Sequence, residues 1–381
     1  MAMALTATSF ALAMYSSEVR GYSLLVFFTL LSFWFLVRYS ETGRWSFRVG
    51  YWTSTILGFL SQLVYLFFFM GTVSWAYWLR WSARRGGTTE PGRGETVEPG
   101  RGTRLVRLHD VPLLFLGVLF VVDLRHMTLG GGPPFSSLSV TLDVLSLAIG
   151  GPDSGALRLV AALASVVLVL AGLRWFRKSG DTLWVLYGVA LVAFPAFLLV
   201  VARPPFFFPR YFLIPIALFQ LLLAFLLARM WHERGRAGRA AVFGALLLIV
   251  TANAARFAEF WALGRGHYRE AVFMMASRES PPQATVGSDH DFRNGMLVDY
   301  YVRLLPAGRE LRYADRDERP PGGWDWWILN TLEPGGEPLP RLRDAEGTEY
   351  RIVKSFPSSR LSGFTWHVYR KGPGADPDRP E

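Results

Sequence analysis

The hydrophobic and polar positions of the chain form long apolar blocks separated by short, arginine-rich segments. About 20 apolar residues are needed to cross a bilayer as a helix. Predominantly apolar blocks predict crossings near 22–38, 111–124, 156–175, 182–202, 211–230 and 240–257. The block 50–80 is charge-free before Arg80 and, at about 1.5 Å per residue, too long for one upright helix. It therefore predicts a helical hairpin that turns near residues 60–62.

Arginine positions predict the orientation of these segments. Arg38, Arg44 and Arg48 precede the block 50–80, and a larger arginine group follows it from Arg80 onward. Short loops rich in arginine stay in the cytoplasm, so both ends of the hairpin are predicted to be cytoplasmic. The total is then about eight crossings, and everything after about residue 258 lies outside. We predict an integral, multi-pass protein of the inner (plasma) membrane.

A change of composition at about residue 263 predicts the domain organisation. Residues 1–262 form the polytopic transmembrane domain, in which the Gly-, Pro- and charge-rich residues 86–107 predict a disordered cytoplasmic loop. Residues 263–372 alternate between helical and strand patterns and predict an outward-facing α/β domain. Residues 373–381 predict a disordered tail. The fold class is mainly α: a polytopic helical membrane bundle with a C-terminal soluble α/β domain.

Composition excludes several function classes. The chain has no cysteine, which rules out disulfides, thiol catalysis and thiolate metal sites. The formal charge of +10 does not indicate nucleic-acid binding, because the arginines lie mostly at the ends of apolar segments. No metal-ligand spacing is present, so no metal and no cofactor are predicted, although a divalent metal stays possible. Residues 1–17 lack the basic start of a signal peptide, and we interpret them as a short helix in the membrane.

Two polar clusters lie at predicted segment ends. Glu18 and Arg20, with Tyr22, head the crossing 22–38; they form either a snorkelling interfacial pair or a polar cavity that binds an anionic head group. The stretch RPPFFFPRYFLIP carries Arg203 and Arg210. It is either a rigid interfacial turn or a site that holds a lipid phosphate.

Three further groups carry both a structural and a functional interpretation. His126 follows Asp123 at a predicted helix end; it marks an interfacial end or an imidazole oriented by the carboxylate. The stretch GSDHDF, residues 287–292, resembles an acid/base or metal cluster, yet such turns more often cap helices, and Asp291 is the predicted cap. The tryptophans of WDWW, residues 324–327, either stack on sugar rings or pack in a strand.

The segment SSEVRGYSLLVFFTLLSFWFLVRYSETGRW resembles part of the multi-spanning glycosyltransferases of the GT-C superfamily. The nearest group is the aminoarabinose-transferase and protein-mannosyltransferase-like one. Its members share an E-x-R-x-Y pattern at the outer head of a helix, a basic loop with a Trp and a short hairpin, which YWTSTILGFLSQLVYLFFF matches. PRYFLIPIALFQLLLA resembles the group's late R-Y-x-x-x-x-P helix. The resemblance covers roughly residues 5–260.

This resemblance implies a bacterial cell-envelope enzyme that transfers a sugar, a hexose or pentose, from a polyprenyl-phosphate donor to a glycan, lipid or protein acceptor. By position the resemblance implies that Glu18, Arg20, Tyr22, Arg210 and Tyr211 bind substrate. The patterns at the segment ends add Arg203 and His126 to the predicted substrate-binding residues. The group's catalytic Asp precedes its E-x-R-x-Y segment, and the matching part is missing here, so the catalytic base stays unknown. A clipped enzyme, half of a split enzyme and a chain without catalysis remain open. The alternative is a non-catalytic membrane protein, either a lipid-linked glycan transporter or a partner subunit.

Overall fold

A computed structural model gives the fold of the chain. It describes residues 1–18, 21–85, 100–127, 136–203, 208–278, 283–331, 337–359, 361 and 363–372. Two compact units emerge, Met1–Arg256 (unit 1) and Phe257–Glu381 (unit 2). The predicted boundary between residues 262 and 263 lies a few residues further along, and the predicted tail 373–381 is outside the described residues.

Unit 1 is built from helices. They are α1 (Ala2–Thr8), α2 (Phe10–Ser16), α3 (Tyr22–Thr42), α4 (Trp45–Ser61), α5 (Leu66–Arg84), α6 (Arg101–Leu108), α7 (Asp110–Val122), α8 (Ser137–Leu147), α9 (Gly155–Lys178), α10 (Leu183–Gly188), α11 (Phe194–Phe197), α12 (Leu213–Glu233) and α13 (Gly235–Leu263), which runs on into unit 2. The predicted single N-terminal helix is two helices, because the chain is extended at Ser9, whose side chain accepts a hydrogen bond from the Leu12 amide.

Apolar helices of membrane length identify an embedded protein. Within the described ranges six helical segments are long and apolar enough to span a bilayer: Tyr22–Thr42, Arg101–His126, Gly155–Lys178, Leu183–Ala202, Pro209–Glu233 and Gly235–Ser277. Each overlaps one of the predicted crossings. The predicted total of about eight is not confirmed, since it also counted the hairpin.

The hairpin itself has its break at the predicted place. Helix α4 ends at Ser61, and Gln62 is extended with φ −167° and ψ 138°. Helix α5 then begins at Leu66 after one short 3₁₀ turn. A helix of 17 residues is about 25 Å long at 1.5 Å per residue, which is consistent with two short helices in place of one long one.

The segment Leu183–Ala202 is an irregular helix. Two π-helical turns, Val189–Ala193 and Leu198–Ala202, lie on either side of α11. Pro195 sits in α11 and has no N–H to donate. In the wider π turns each N–H bonds to a carbonyl five residues earlier. This pattern is consistent with a helix that continues on both sides of the missing Pro195 donor.

Two predictions for connecting segments were wrong. Residues 101–107, predicted as part of a disordered loop, lie in α6, because Leu105 and Leu108 are buried as that helix packs against α5. Residues 86–99 of the same loop lie outside the described ranges. The predicted connection 125–155 contains helix α8.

Buried hydroxyls join the hairpin to the start of α7. The His109 Nε2 atom lies 3.1 Å from the Thr72 hydroxyl, which lies 3.2 Å from the Tyr51 hydroxyl. Tyr51 also interacts with Thr55, to which Tyr65 donates at 3.3 Å. All five side chains are buried. We call this group the hydroxyl chain; its members satisfy one another where water is absent.

A second buried polar contact ties the N-terminus to α13. The Asn253 Oδ1 atom accepts a hydrogen bond from the Phe10 amide at 2.7 Å. Gly150 has φ +80° and approaches the Asn253 side chain so closely that a Cβ there would overlap it. Nearby, Gln220 Nε2 donates to the Ala148 carbonyl at 2.6 Å. The connection between α8 and α9 is thus held by polar groups of α12 and α13.

Unit 2 is a small α/β fold. After α14 (Tyr268–Ser277) come β1 (Gln283–Ser288), α15 (Asp291–Val302), β2 (Glu310–Tyr313), β3 (Trp326–Thr331), β4 (Arg341–Arg343), β5 (Glu349–Phe356) and β6 (Thr365–Lys371). The sheet order is β2-β1-β3-β6-β5-β4, in which β1 is parallel to β2 and β3 and the remaining pairs are antiparallel. The predicted helices and strands are present, and β4 was missed.

Candidate functional site

Unit 1 places the acidic N-terminal segment and the late arginine motif around one tyrosine. Tyr15, near the end of α2, is 2% exposed, and its ring centroid lies 5.8 Å from that of Tyr22. The charges and hydroxyls that act on its hydroxyl group belong to Glu18, Arg210, Tyr22 and Asp143. We call these residues the Tyr15 cluster. Residues far apart in sequence meet here because α2 packs against α3 and α12.

Arg210 supplies the positive charge of the cluster. It lies on the short 3₁₀ turn Pro209–Phe212, which packs against α8. Its guanidinium carbon is 4.2 Å from the Phe208 ring centroid and 5.7 Å from that of Tyr211. Its Nε is buried and makes no hydrogen bond within the described part of the chain. The guanidinium is therefore held between aromatic faces.

Asp143 is a cluster member that sequence patterns missed. It lies on α8, and its carboxylate is 3.0 Å from the Arg158 Nε on α9. Arg158 also donates to the carbonyl and hydroxyl of Ser139. The ion pair is mostly buried, so Asp143 is fixed in position, and its charge is shared with a second arginine.

Of the other predicted binding residues that the structure describes, only Tyr211 lies near the Tyr15 cluster. Tyr211 belongs to the cluster surroundings, since its ring meets Phe208 edge-on at 5.8 Å. Arg20 lies outside the described residues. Arg203 has φ +41° and donates to the Val200 carbonyl at 2.8 Å, within its own turn.

His126 also contacts a residue of its own turn. Its Nε2 lies 2.8 Å from the Nε of Arg125, whereas the sequence pointed to Asp123 as the neighbour. The ring ends the 3₁₀ turn after α7 and is exposed. The structure therefore gives His126 a position at a helix end, and its proposed role in substrate binding stays a prediction.

The head of α3 and the hairpin turn form one edge of the cluster. Gly21 precedes Tyr22 and approaches the backbone of Ser61, where α4 ends. A Cβ on Gly21 would lie 2.5 Å from the Ser61 carbonyl oxygen. Gly21 and the hairpin are thus in backbone contact, which explains why a residue without a side chain stands there.

The acidic turn of unit 2 serves mainly to cap a helix and to join the ends of the neighbouring strands β1 and β3. The N-cap of α15 is His290, which accepts from the Arg293 amide at 3.4 Å; the prediction of Asp291 as the cap was wrong by one residue. Asp291 instead accepts from the Tyr313 hydroxyl at 2.8 Å. Asp289 accepts from the Asn330 amide at 3.1 Å.

Burial raises the pKa of Asp289 to about 6, while the Asn330 amide and the nearby cations lower it. With its carboxamide turned so that Nδ2 faces the acid, Asn330 also donates to both Asp289 oxygens at 2.7 Å. No group of three His, Asp or Glu side chains that could hold a metal ion occurs among the residues the structure describes. The tryptophans Trp324 and Trp326 are buried in the unit 2 core, which leaves them no face for a sugar.

Comparisons with known proteins do not assign the chain to a family. No family model, curated protein or solved structure matches the chain. The chemistry of the Tyr15 cluster is therefore the basis for a functional conclusion. It combines an aromatic-held guanidinium, two carboxylates and two tyrosines in a membrane-embedded unit.

Proposed function

We propose that the chain is a membrane glycosyltransferase that uses a polyprenyl-phosphate-linked sugar as its donor. The observation that carries this proposal is the meeting of Arg210 with Glu18 and Asp143 around Tyr15. Ionisable side chains inside a membrane protein are rare and usually mark a pathway or a ligand site. An arginine and two carboxylates whose charges act on one buried hydroxyl suit a lipid-borne phosphate whose head group must be held next to a reacting hydroxyl.

The proposed reaction needs no redox partner. The acceptor hydroxyl oxygen forms a bond to the anomeric carbon of the sugar, and the bond from that carbon to the phosphate oxygen breaks. The polyprenyl phosphate leaves with the electron pair, and Arg210 offsets its charge. The acceptor proton goes to a carboxylate of the cluster, Glu18 or Asp143. Because Arg158 holds Asp143 at 3.0 Å, Glu18 is the better proton acceptor.

The cluster is proposed to face outward across the bacterial inner membrane. This orientation is supported by the arginines Arg38, Arg44 and Arg48 before the hairpin and by the basic group from Arg80 onward. Loops of that kind stay in the cytoplasm. The C-terminal end of α2 and the start of the Arg210 turn are then proposed to lie on the outer side of the membrane, and so is unit 2.

Photo-crosslinking tests the proposal. The chain in detergent or nanodiscs is irradiated with a radiolabelled, photoreactive polyprenyl-phosphate sugar, and labelling is compared for Arg210→Gln and Arg236→Gln. Arg236 is exposed at the start of α13 and loses the same charge. Removing a hydrogen bond to a charged group costs about 1.5–3 kcal/mol, so half-saturation should rise about 10- to 100-fold for Arg210→Gln only.

Three outcomes are distinguished. Equal labelling of the two variants contradicts a phosphate site at Arg210. Specific labelling followed by sugar release that Glu18→Gln abolishes supports the transferase. Specific labelling without transfer to any acceptor from native membranes favours the alternative, a non-catalytic carrier or partner subunit.

A further inference from the structure

Helix α15 of unit 2 is buried on one face and carries large apolar side chains on the opposite, exposed face. Its inner face buries Asn294, Gly295 and Val298. Its outer face carries large apolar side chains at four-residue spacing, and all are at least half exposed: Phe292 76%, Met296 57%, Tyr300 60% and Leu304 50%. We call these four residues the α15 stripe. Residues spaced by four lie one above another along a helix and its end, so the stripe is continuous.

A surface helix normally presents polar residues to water. A helix that is hydrophobic all round is typical of a core or a membrane, and contiguous exposed apolar patches mark interaction surfaces. Among the stripe residues lie the exposed side chains Asp299 and Arg303. The outer face of α15 therefore combines exposed apolar side chains with exposed charged ones. Such a surface can contact apolar and charged groups at the same time.

A pocket adjoins the stripe where α14 packs against α15. The Tyr300 ring meets the Tyr301 ring edge-on at 5.0 Å. Tyr301 lines an open pocket of about 300 Å³, together with Gly266, His267, Arg269, Glu270 and Phe273. Arg269 is exposed, and its guanidinium lies 5.1 Å from the Phe273 ring centroid. An apolar stripe thus continues into a pocket that carries a cation.

Chain connectivity limits how far unit 2 can move from the bilayer. The apolar helix α13 ends at Leu263, and α14 begins at Tyr268. Residues 264–267 can span about 15 Å even when fully extended, at about 3.3–3.6 Å per residue. A lipid surface is therefore always within reach of unit 2, at a far higher local concentration than any soluble partner.

We propose that the α15 stripe rests on the membrane, with Phe292, Met296, Tyr300 and Leu304 at the boundary between head groups and acyl chains. Aromatic side chains favour that boundary. Arg303 and the Arg269 pocket then face lipid phosphates. This placement is independent of whether the Tyr15 cluster transfers sugar. It assigns unit 2 a lipid-binding surface and fixes which of its faces points away from water.

Spin labels test this in the full chain, which has no cysteine of its own. Met296→Cys and Ala345→Cys are labelled and reconstituted in phosphatidylethanolamine–phosphatidylglycerol vesicles. Ala345 is exposed in the turn after β4 and serves as the water-facing control. Relaxation of each label by oxygen, which partitions into lipid, is compared with relaxation by a nickel complex confined to water.

The expected result is a several-fold higher oxygen-to-nickel ratio at position 296 than at position 345. Equal ratios with strong nickel relaxation at both positions place the stripe in water and overturn the proposal. Protection of position 296 from both reagents means that protein covers the stripe, either another part of this chain or a second copy, and overturns it as well. Tyr300→Cys repeats the measurement on the same stripe.

Discussion

Replacing Gly21 with alanine tests the contact between the Tyr15 cluster and the helical hairpin. The new Cβ would lie 2.5 Å from the Ser61 carbonyl oxygen, 3.2 Å from its carbonyl carbon and 3.4 Å from its Cα. Gly21 has φ −64°, which any residue adopts, so the cost is purely steric. Every contact is with backbone, so shortening the Ser61 side chain would not relieve it.

The size of the destabilisation by Gly21→Ala follows from the steric overlap. A Cβ–oxygen distance of 2.5 Å is one that real side chains do not show, so the head of α3 and the end of α4 must separate by most of an ångström. Overpacking of this kind typically costs about 1–3 kcal/mol. The unfolding entropy is about 2.1 cal/mol/K per residue, so for unit 1, residues 1–256, each kcal/mol shifts the melting temperature by about 2 °C, and Gly21→Ala should melt about 2–6 °C lower.

The assay is thermal unfolding of the full chain in detergent, followed by tryptophan fluorescence. Gly117→Ala and Gly244→Ala are matched controls, because a Cβ at either helical position meets no atom within 4 Å. Alanine is the better helix former by up to about 1 kcal/mol, so the controls should be neutral or slightly stabilising. If Gly21→Ala melts with the controls, the close backbone contact is refuted.

Two further predictions concern buried polar groups. Thr72→Val should lower stability by about 1–3 kcal/mol, because it leaves His109 without the hydroxyl at Nε2; Thr72→Ser should keep most of it in the same melting assay, and equal effects would contradict the hydroxyl chain. Asp289 has a folded pKa of about 6 against 3.8 for the free side chain, so its burial favours folding below pH 3.8 and opposes it increasingly as pH rises through 6. Asp289→Asn should therefore stabilise unit 2 at pH 7, by at most about 3 kcal/mol before solvent screening, and leave it unchanged at pH 3.5. Limited proteolysis of the full chain at both pH values measures this; no gain at pH 7 would refute it.

Sequence patterns predicted the helices whose apolar blocks are long enough to identify a membrane segment. They missed α8, because its 11 residues mix Ser, Thr and Asp with apolar positions and follow a glycine-rich stretch. They missed β4, which has three residues and no measurable alternation. Short elements depend on tertiary packing more than on local propensity.

The candidate site was predictable only in part. Glu18, Tyr22 and Arg210 stand out because charge or aromatic character interrupts an apolar block at its end. Asp143 carries no such signal, since its partner Arg158 lies on another helix and no spacing connects them. Tyr15 gives no such signal either, since it is one aromatic residue near the end of an apolar run. Its central place depends on α2 packing against α12, a contact between residues about two hundred positions apart.

The hydrogen bond from the Phe10 amide to Asn253 sets an order of events during synthesis. The two residues are 243 positions apart, and ribosomes add about 5–20 residues per second. For roughly 10–50 s the N-terminal helices therefore exist before their acceptor has been made. A backbone amide without a hydrogen-bond acceptor is unfavourable in lipid. Until Asn253 is present, the Phe10 amide therefore needs another acceptor, or α1 and α2 must stay at the membrane surface, where water can accept its hydrogen bond. The Phe10 end of α2 is thus among the last parts of unit 1 to settle, since its acceptor lies on α13.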